Sequence, residues 1–378
     1  MTNPLRDLEA AGQAVWLDFL HRKILEDGEL QRLIDEDGVK GLTSNPSIFE
    51  KAIGGGDAYD ARIKKVMQPA DSVEALYERI AIADIQDAAD SFRPTYDRLN
   101  GRDGYVSLEV SPALAMDTQG TIDGARRLWK AVDRPNLMIK VPGTQAGAPA
   151  IRQLISEGIN VNVTLLFGVN AYLDVAEAHT AGLEAFKAGG GDVSRVHGVA
   201  SFFVSRIDTK IDAAIDARLK DGASGPDAER LKALRGKVAI ANAKQAYQRY
   251  LELIDSPRWK LLAGAGAAPQ RLLWASTGVK DPSYPDTLYA DALIGADTVD
   301  TMPPATMDAF RDHGHVTGSL TQGVAEAEHV LAEALALGLD LDGVTDALVV
   351  DGVKQFSEAF DKLLAAVTSK SRQMAGAA

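Results

Sequence analysis

The 378-residue sequence predicts an α/β fold, a (β/α)8 barrel of the TIM type with extra helices, and three observations carry that prediction. Eight short apolar runs rich in β-branched residues recur along the chain. Each is followed by a polar, Gly or Pro turn and then by a longer stretch with helical periodicity. Most runs are nearly continuous in apolar residues, as strands buried on both faces of a parallel sheet must be. An open doubly wound sheet is the alternative arrangement of the same alternation.

The runs are Val15 to Phe19, Val39 to Thr43, Tyr105 to Val110, Leu137 to Val141, Val161 to Phe167, Val196 to Phe203, Arg271 to Ser276 and Asp297 to Met302. After the fourth, Ala148, Ile151, Leu154 and Ile155 make one apolar stripe that Gly158 terminates, which is the pattern of a crossover helix. The long connections, about 48–104 and 205–269, read as helical insertions. Arg230, Lys232, Arg235 and Lys237 mark a solvated helix in the second. A late helix over about 353–367 carries Phe356, Phe360, Leu363 and Leu364 on one face; the tail from Thr368 is small and polar, and its last residues are expected to fray. The GGGD segments at Gly54 and Gly189 lack the downstream Lys-Ser/Thr of a phosphate loop and read as turns. With no internal repeat and no break in composition, residues 1–378 read as one barrel domain.

Composition removes several function classes. Fifty-three acidic against 40 basic residues give a formal charge of −13, which disfavours nucleic acid and anionic membranes, so an anionic ligand requires a local basic pocket. The absence of cysteine removes disulfides, thiolate metal sites and cysteine nucleophiles. His313 and His315 form the one close histidine pair, without the carboxylate spacing of a metal site, so no metal is expected. No apolar window is long enough for a membrane span, and MTNPLRDLEAAGQAVWLDFL places acidic residues where a signal peptide needs an apolar core. The expectation is a cytoplasmic protein.

In a barrel of this kind the active site lies at the carboxyl ends of the strands, and the polar residues there are numerous. Asp18 falls inside VWLDF, Glu109 inside VSLEVSP, Lys140 inside LMIKVPGT, and Asn162 with Thr164 inside INVNVTLLF. Lys140 stands among Met138, Ile139, Val141 and Pro142; burial favours the neutral amine, the form that attacks a ketone to make a Schiff base. The alternative is a buried ion pair with Glu109 or Asp18 and no chemistry. Two carboxylates on separate strands supply both a partner and the proton shuttle that imine formation and C–C cleavage require. Asn45, Asn162, Thr164 and Ser201 are donors and acceptors suited to sugar hydroxyls, although an asparagine at a strand end also serves as a turn residue. Arg206, and Ser276 with Lys280 after the seventh run, are the phosphate candidates.

These segments resemble the transaldolase family. GLTSNPSIF from Gly41 and LMIKVPGTQAG from Leu137 are similar to its signatures, and INVNVTLLF and SFFVSR follow in the family's order. The resemblance runs from about Asp18 to the end of the eighth run and is weak in the long connections. It implies Lys140 as Schiff-base lysine, Glu109 as acid/base through a water held by Thr164, and Asp18 as acid/base at the bond that breaks. It implies Asn45, Asn162 and Ser201, supported by Thr43, as holders of a dihydroxyacetone unit, Phe203 on the substrate wall, and Arg206 with Ser276 at the phosphate. Many family members carry a second arginine where Gly278 stands here; Lys280 is the substitute by chemistry alone. The implied reaction transfers dihydroxyacetone from sedoheptulose 7-phosphate or fructose 6-phosphate to erythrose 4-phosphate or glyceraldehyde 3-phosphate, with no cofactor. The partners are small-molecule sugar phosphates and the protein is a monomer or homodimer. The enamine must be shielded, and the helix bearing Phe356 and Phe360 is the candidate cover. Two rivals are a lyase similar to fructose-6-phosphate aldolase, whose relatives carry glutamine for Glu109 and tyrosine for Phe203, and a sugar-phosphate binding barrel without chemistry.

Overall fold

A computed structural model describes residues 3–68 and 72–375. The eight apolar runs form eight strands: β1 (Gln13–Leu17), β2 (Gly41–Thr43), β3 (Tyr105–Glu109), β4 (Leu137–Pro142), β5 (Val161–Leu166), β6 (Gly198–Phe203), β7 (Arg271–Ala275) and β8 (Thr298–Met302). Each strand pairs in parallel with the next, and β8 pairs in parallel with β1, so the sheet closes as a barrel and is not an open doubly wound sheet. Every β-strand residue except Glu109 is buried, because helices cover the outer face and side chains fill the interior.

The barrel floor is sealed by a polar knot. Trp16 donates its indole N–H to Asp103 Oδ1 at 2.7 Å, and Arg271 from β7 reaches across to Asp103 Oδ2 at 2.8 Å. Trp16 lies against β2 at Gly41, where a Cβ would stand 2.5 Å from the indole ring. Glycine is therefore required by packing at this position.

Register and irregularity then set the upper end. Glu109 is aligned with Lys140, Lys140 with Asn162, and Pro142 with Thr164. Side chains of alternate residues share a face, so these groups converge on the barrel mouth. A bulge between Val163 and Leu166 follows in β5. Leu165 there has φ 61°, as Ser276 after β7 has φ 58°. Non-glycine residues in the left-handed region cost on the order of 1–3 kcal/mol and gather where surrounding packing fixes the backbone for function.

The first long connection contains helices Pro46–Gly54, Asp60–Val66 and Val73–Arg98, with 69–71 outside the described residues. The second contains Ser205–Lys220, Gly225–Leu234, Val238–Asp255 and Pro257–Ala263. The late helix is longer than its sequence pattern predicts, running Leu341–Ala375. Within the tail, Met374 is buried and Lys370 bonds Asp60 at 2.7 Å; the last residues, 376–378, on which the expected fraying falls, lie outside the described residues. This helix crosses the mouth, placing Phe356 on the cavity and Gly352 where a Cβ would stand 2.7 Å from Leu165. Among the described residues no helix is long and apolar enough to cross a membrane.

Replacing Gly41 by alanine forces the Trp16 ring off Asp103. Overpacking of this kind costs about 1–3 kcal/mol, so urea denaturation of Gly41→Ala is expected to show a lowered midpoint at unchanged slope.

Candidate active site

A cavity of about 690 Å³ opens at the carboxyl ends of the strands. Lys140 lies at its base, 5% exposed, with Nζ donating to the Ser44 carbonyl at 3.1 Å and standing 3.9 Å from Glu109 Oε2. At that separation the amine is held near the carboxylate without being consumed by it, and open volume lies beside it. The Ser44 carbonyl is itself fixed, since Ser44 Oγ donates to the Ser107 carbonyl at 2.8 Å.

Asp18 follows β1 and lines the cavity. Thr43 Oγ1 donates to its Oδ1 at 2.9 Å; with that proton committed, Thr301 Oγ1, also 2.9 Å away, is the donor to Thr43. Burial raises the Asp18 pKa above the usual carboxylate range, against the pull of Lys140 and the Thr43 bond. Glu109 is 5% exposed at its side chain, and neither carboxylate oxygen has a hydrogen-bond partner among the described residues. Burial pushes its pKa up to about 7, with Lys140 opposing the rise and Asp18 adding to it. Its carboxyl does not line the large cavity. It borders a separate space of about 20 Å³, shared with Tyr77 and Phe360. That volume suits about one water molecule.

Thr164 and Ser201 line the main cavity beside Lys140. Thr164 Oγ1 is buried and has no partner among the described residues, whereas Ser201 Oγ donates to Asn162 Oδ1 at 2.7 Å. Asn162 does not line the cavity. It is fully buried, and its amide nitrogen donates to Ser107 Oγ at 3.0 Å, so it acts on the site through Ser201. Asn45 lines the cavity and also caps helix Pro46–Gly54, its Oδ1 accepting from Ile48 N at 3.0 Å.

The far wall is cationic. Arg206, in the first turn of helix Ser205–Lys220, stacks over Phe203 with its guanidinium carbon 5.1 Å from the ring centroid. Among the described residues it makes no ion pair, and burial lowers its pKa. Ser276 is fixed by its contact with Ser205, 3.0 Å between hydroxyl oxygens. Lys280 is exposed, borders the cavity and is likewise without an ion pair among the described residues. Lys51 adds a further exposed cation to the lining. In a chain of charge −13, this concentration of unneutralised cations is the local basic pocket that an anionic ligand needs.

Sequence reading missed Ser44, Ser107, Thr301 and Lys51. Ser107 stands two residues before Glu109 and on the same face, so strand periodicity was a usable signal. Ser44 acts through its backbone carbonyl, which no residue type announces. His313, by contrast, lies outside the site, bonded to Asp286 at 2.8 Å.

A family model described as "Transaldolase/Fructose-6-phosphate aldolase" matches residues 15–367. The chain belongs to the transaldolase/fructose-6-phosphate aldolase family. Within it, the chain is 46% identical over 376 residues to "Transaldolase" of Trichodesmium erythraeum, covering 99% of each. It is 48% identical over 372 residues to "Transaldolase 2" of a Nostoc species, covering 97% of each. With "Transaldolase" of Thiobacillus denitrificans the identity is 48% over 365 residues, 97% of this chain and 99% of the relative. The cavity, the buried lysine and its two carboxylates therefore lie in a chain that shares this family's full length.

Because the Glu109 pKa is raised, the folded state holds more protons than the unfolded state between about pH 4.5 and about 7. Stability falls with pH across that window, and the cost is complete above it. Glu109→Gln is expected to be more stable than the parent by on the order of 1–3 kcal/mol at about pH 8, with the gain shrinking toward about pH 5. Urea titrations at both pH values measure it; a gain equal at the two contradicts the assignment.

Proposed function

We infer that this chain is a transaldolase acting through a Schiff base on Lys140. The observation that carries the reading is a buried lysine amine facing a cavity that Asp18 and a cationic far wall also line, with the Glu109 carboxyl 3.9 Å behind the amine. The amine attacks the C2 carbonyl of a ketose phosphate. Glu109, relayed by a water at Thr164, protonates the departing carbinolamine hydroxyl and leaves an iminium. Asp18 then takes the proton of the C4 hydroxyl as the C3–C4 bond breaks, and the electron pair is held as the enamine. The aldose phosphate departs, an acceptor aldehyde enters, and the same steps run in reverse. A carboxyl near pKa 7, as at Glu109, is matched to giving and retaking a proton near neutral pH.

Asn45 and Ser201 hold the dihydroxyacetone hydroxyls, Asn162 holds Ser201, and Thr43 fixes Asp18. Phe203 forms the wall against which Arg206 is stacked. Arg206, Ser276 and Lys280 bind the phosphate. Gly278 leaves room at the position where many family members have arginine, and Lys280 supplies the charge from two residues further on. Phe356 on the late helix covers the mouth and limits access of water to the enamine. The substrates are free sugar phosphates and the setting is cytoplasmic, a reading supported by the acidic surface; nucleic acid has no part in it. The protein is a monomer or a homodimer.

An aldolase releases dihydroxyacetone, whereas a transaldolase hands it on. Incubation with fructose 6-phosphate and erythrose 4-phosphate is expected to yield sedoheptulose 7-phosphate with little free dihydroxyacetone; dominant release identifies the lyase. Lys140→Met is expected to lower kcat by at least about a thousandfold. Arg206→Ala is expected to raise KM for fructose 6-phosphate about 10- to 100-fold, the size of a lost charge-assisted hydrogen bond.

A further inference from the structure

Lys280 stands on a loop, not on a strand, and a flexible four-carbon stem holds an anion well only if its anchorage is fixed. Beside the active site, a second cavity of about 270 Å³ separates this loop from helix Ser205–Lys220, and Lys280 borders both. Across it the loop is fastened to the helix. Tyr284 donates its hydroxyl to Asp212 Oδ2 at 2.7 Å, and Tyr289 donates to Asp208 Oδ2 at 3.0 Å. The opposite oxygens are also occupied: Asp208 Oδ1 accepts from Ala239 N at 2.8 Å and Asp212 Oδ1 from Gly236 N at 3.2 Å. Gly236 has φ 67°, and a Cβ there would meet the Tyr284 ring at 2.9 Å. Arg235 closes the arrangement, bonding Asp281 on the loop at 3.1 Å and pairing with Asp216 on the helix.

Asp208, Asp212 and Asp216 are spaced four residues apart, so they share one face of the helix. That helix carries Arg206 in its first turn. Neither aspartate of the two Tyr bonds lines the active-site cavity, so neither touches substrate. What they fix is the separation between the guanidinium on the helix and the ammonium on the loop. A shared anion needs its donors placed within about 0.5 Å.

We propose that the Asp208–Tyr289 and Asp212–Tyr284 bonds form a clamp that positions Lys280 relative to Arg206 and thereby sets the preference for phosphorylated over unphosphorylated donors. The clamp residues are positioning residues, and the proposal rests on Arg206 and Lys280 binding phosphate. It also gives a physical account of how a lysine at 280 substitutes for arginine at 278: rigid anchorage of the loop offsets the freedom of the longer reach.

The test compares KM for fructose 6-phosphate and for dihydroxyacetone as donors, with unphosphorylated glyceraldehyde as common acceptor, in the parent, Tyr284→Phe, Tyr284→Phe/Tyr289→Phe and Arg206→Ala. The Tyr variants are expected to raise KM for fructose 6-phosphate about 3- to 10-fold, the size of one lost hydrogen bond in a contact that positions the site from outside it. KM for dihydroxyacetone and both kcat values stay unchanged. Asp212→Ala behaves like Tyr284→Phe, while Asp212→Asn, which retains an acceptor oxygen, restores much of the loss. Parallel rises in KM for both donors, or no change in either while Arg206→Ala remains defective, overturn the clamp and leave the phosphate site standing. If Arg206→Ala itself binds fructose 6-phosphate normally, the phosphate reading fails and the clamp with it.

Discussion

A lysine amine inside a closed barrel has to be held by something that does not neutralise its chemistry. Here the holder is a backbone carbonyl: Lys140 Nζ donates to Ser44 O at 3.1 Å, and the Glu109 carboxylate stays 3.9 Å away. A direct, short ion pair would turn the nitrogen toward the carboxylate and away from the open volume. A longer contact together with a neutral acceptor orients the nitrogen and leaves one side open to the cavity. The rest of the upper barrel is arranged around this one restraint. Ser44 is tied to β3, Ser107 ties Asn162, and Asn162 ties Ser201, so the amine and the hydroxyl donors belong to one hydrogen-bonded frame.

Burying two carboxyls beside the lysine is costly, and their raised pKa values report that cost. Their environments differ. Asp18 has a threonine donor and opens on the large cavity, whereas Glu109 has no donor among the described residues and opens on a space of water size. That difference leaves one carboxyl facing the space a ligand would enter and the other set back from it. Local strain serves the same end. The left-handed Leu165, directly after Thr164, is held by the late helix at Gly352, and left-handed Ser276 is held by Ser205.

The alternating apolar runs made the barrel legible in the sequence, because a parallel sheet covered on both faces leaves a hydropathy record at each strand. Polar residues interrupting those runs marked Asp18, Glu109, Lys140, Thr164 and Ser201, since nothing apolar explains them. Layering was not legible. Asn162 and Ser201 look equivalent as sequence, but strand stagger places one beneath the other, and only Ser201 faces the cavity. The late helix extends beyond its most periodic stretch because two glycines, Gly343 and Gly352, interrupt its first part, and the contacts that hold its polar end, such as Lys370 with Asp60, are distant in sequence. Arg235 reads as part of a solvated helix, yet it is spent on a tertiary tie to Asp281 on the loop that bears Lys280.

The proposed reaction rests on one amine, Lys140, condensing with a ketose carbonyl. Borohydride reduction in the presence of fructose 6-phosphate, followed by peptide mapping, tests it most directly. A single dihydroxyacetone-derived adduct is expected on the peptide containing LMIKVPGT, at Lys140. An unchanged protein mass, or an adduct on Lys51, Lys280 or any other lysine, contradicts it.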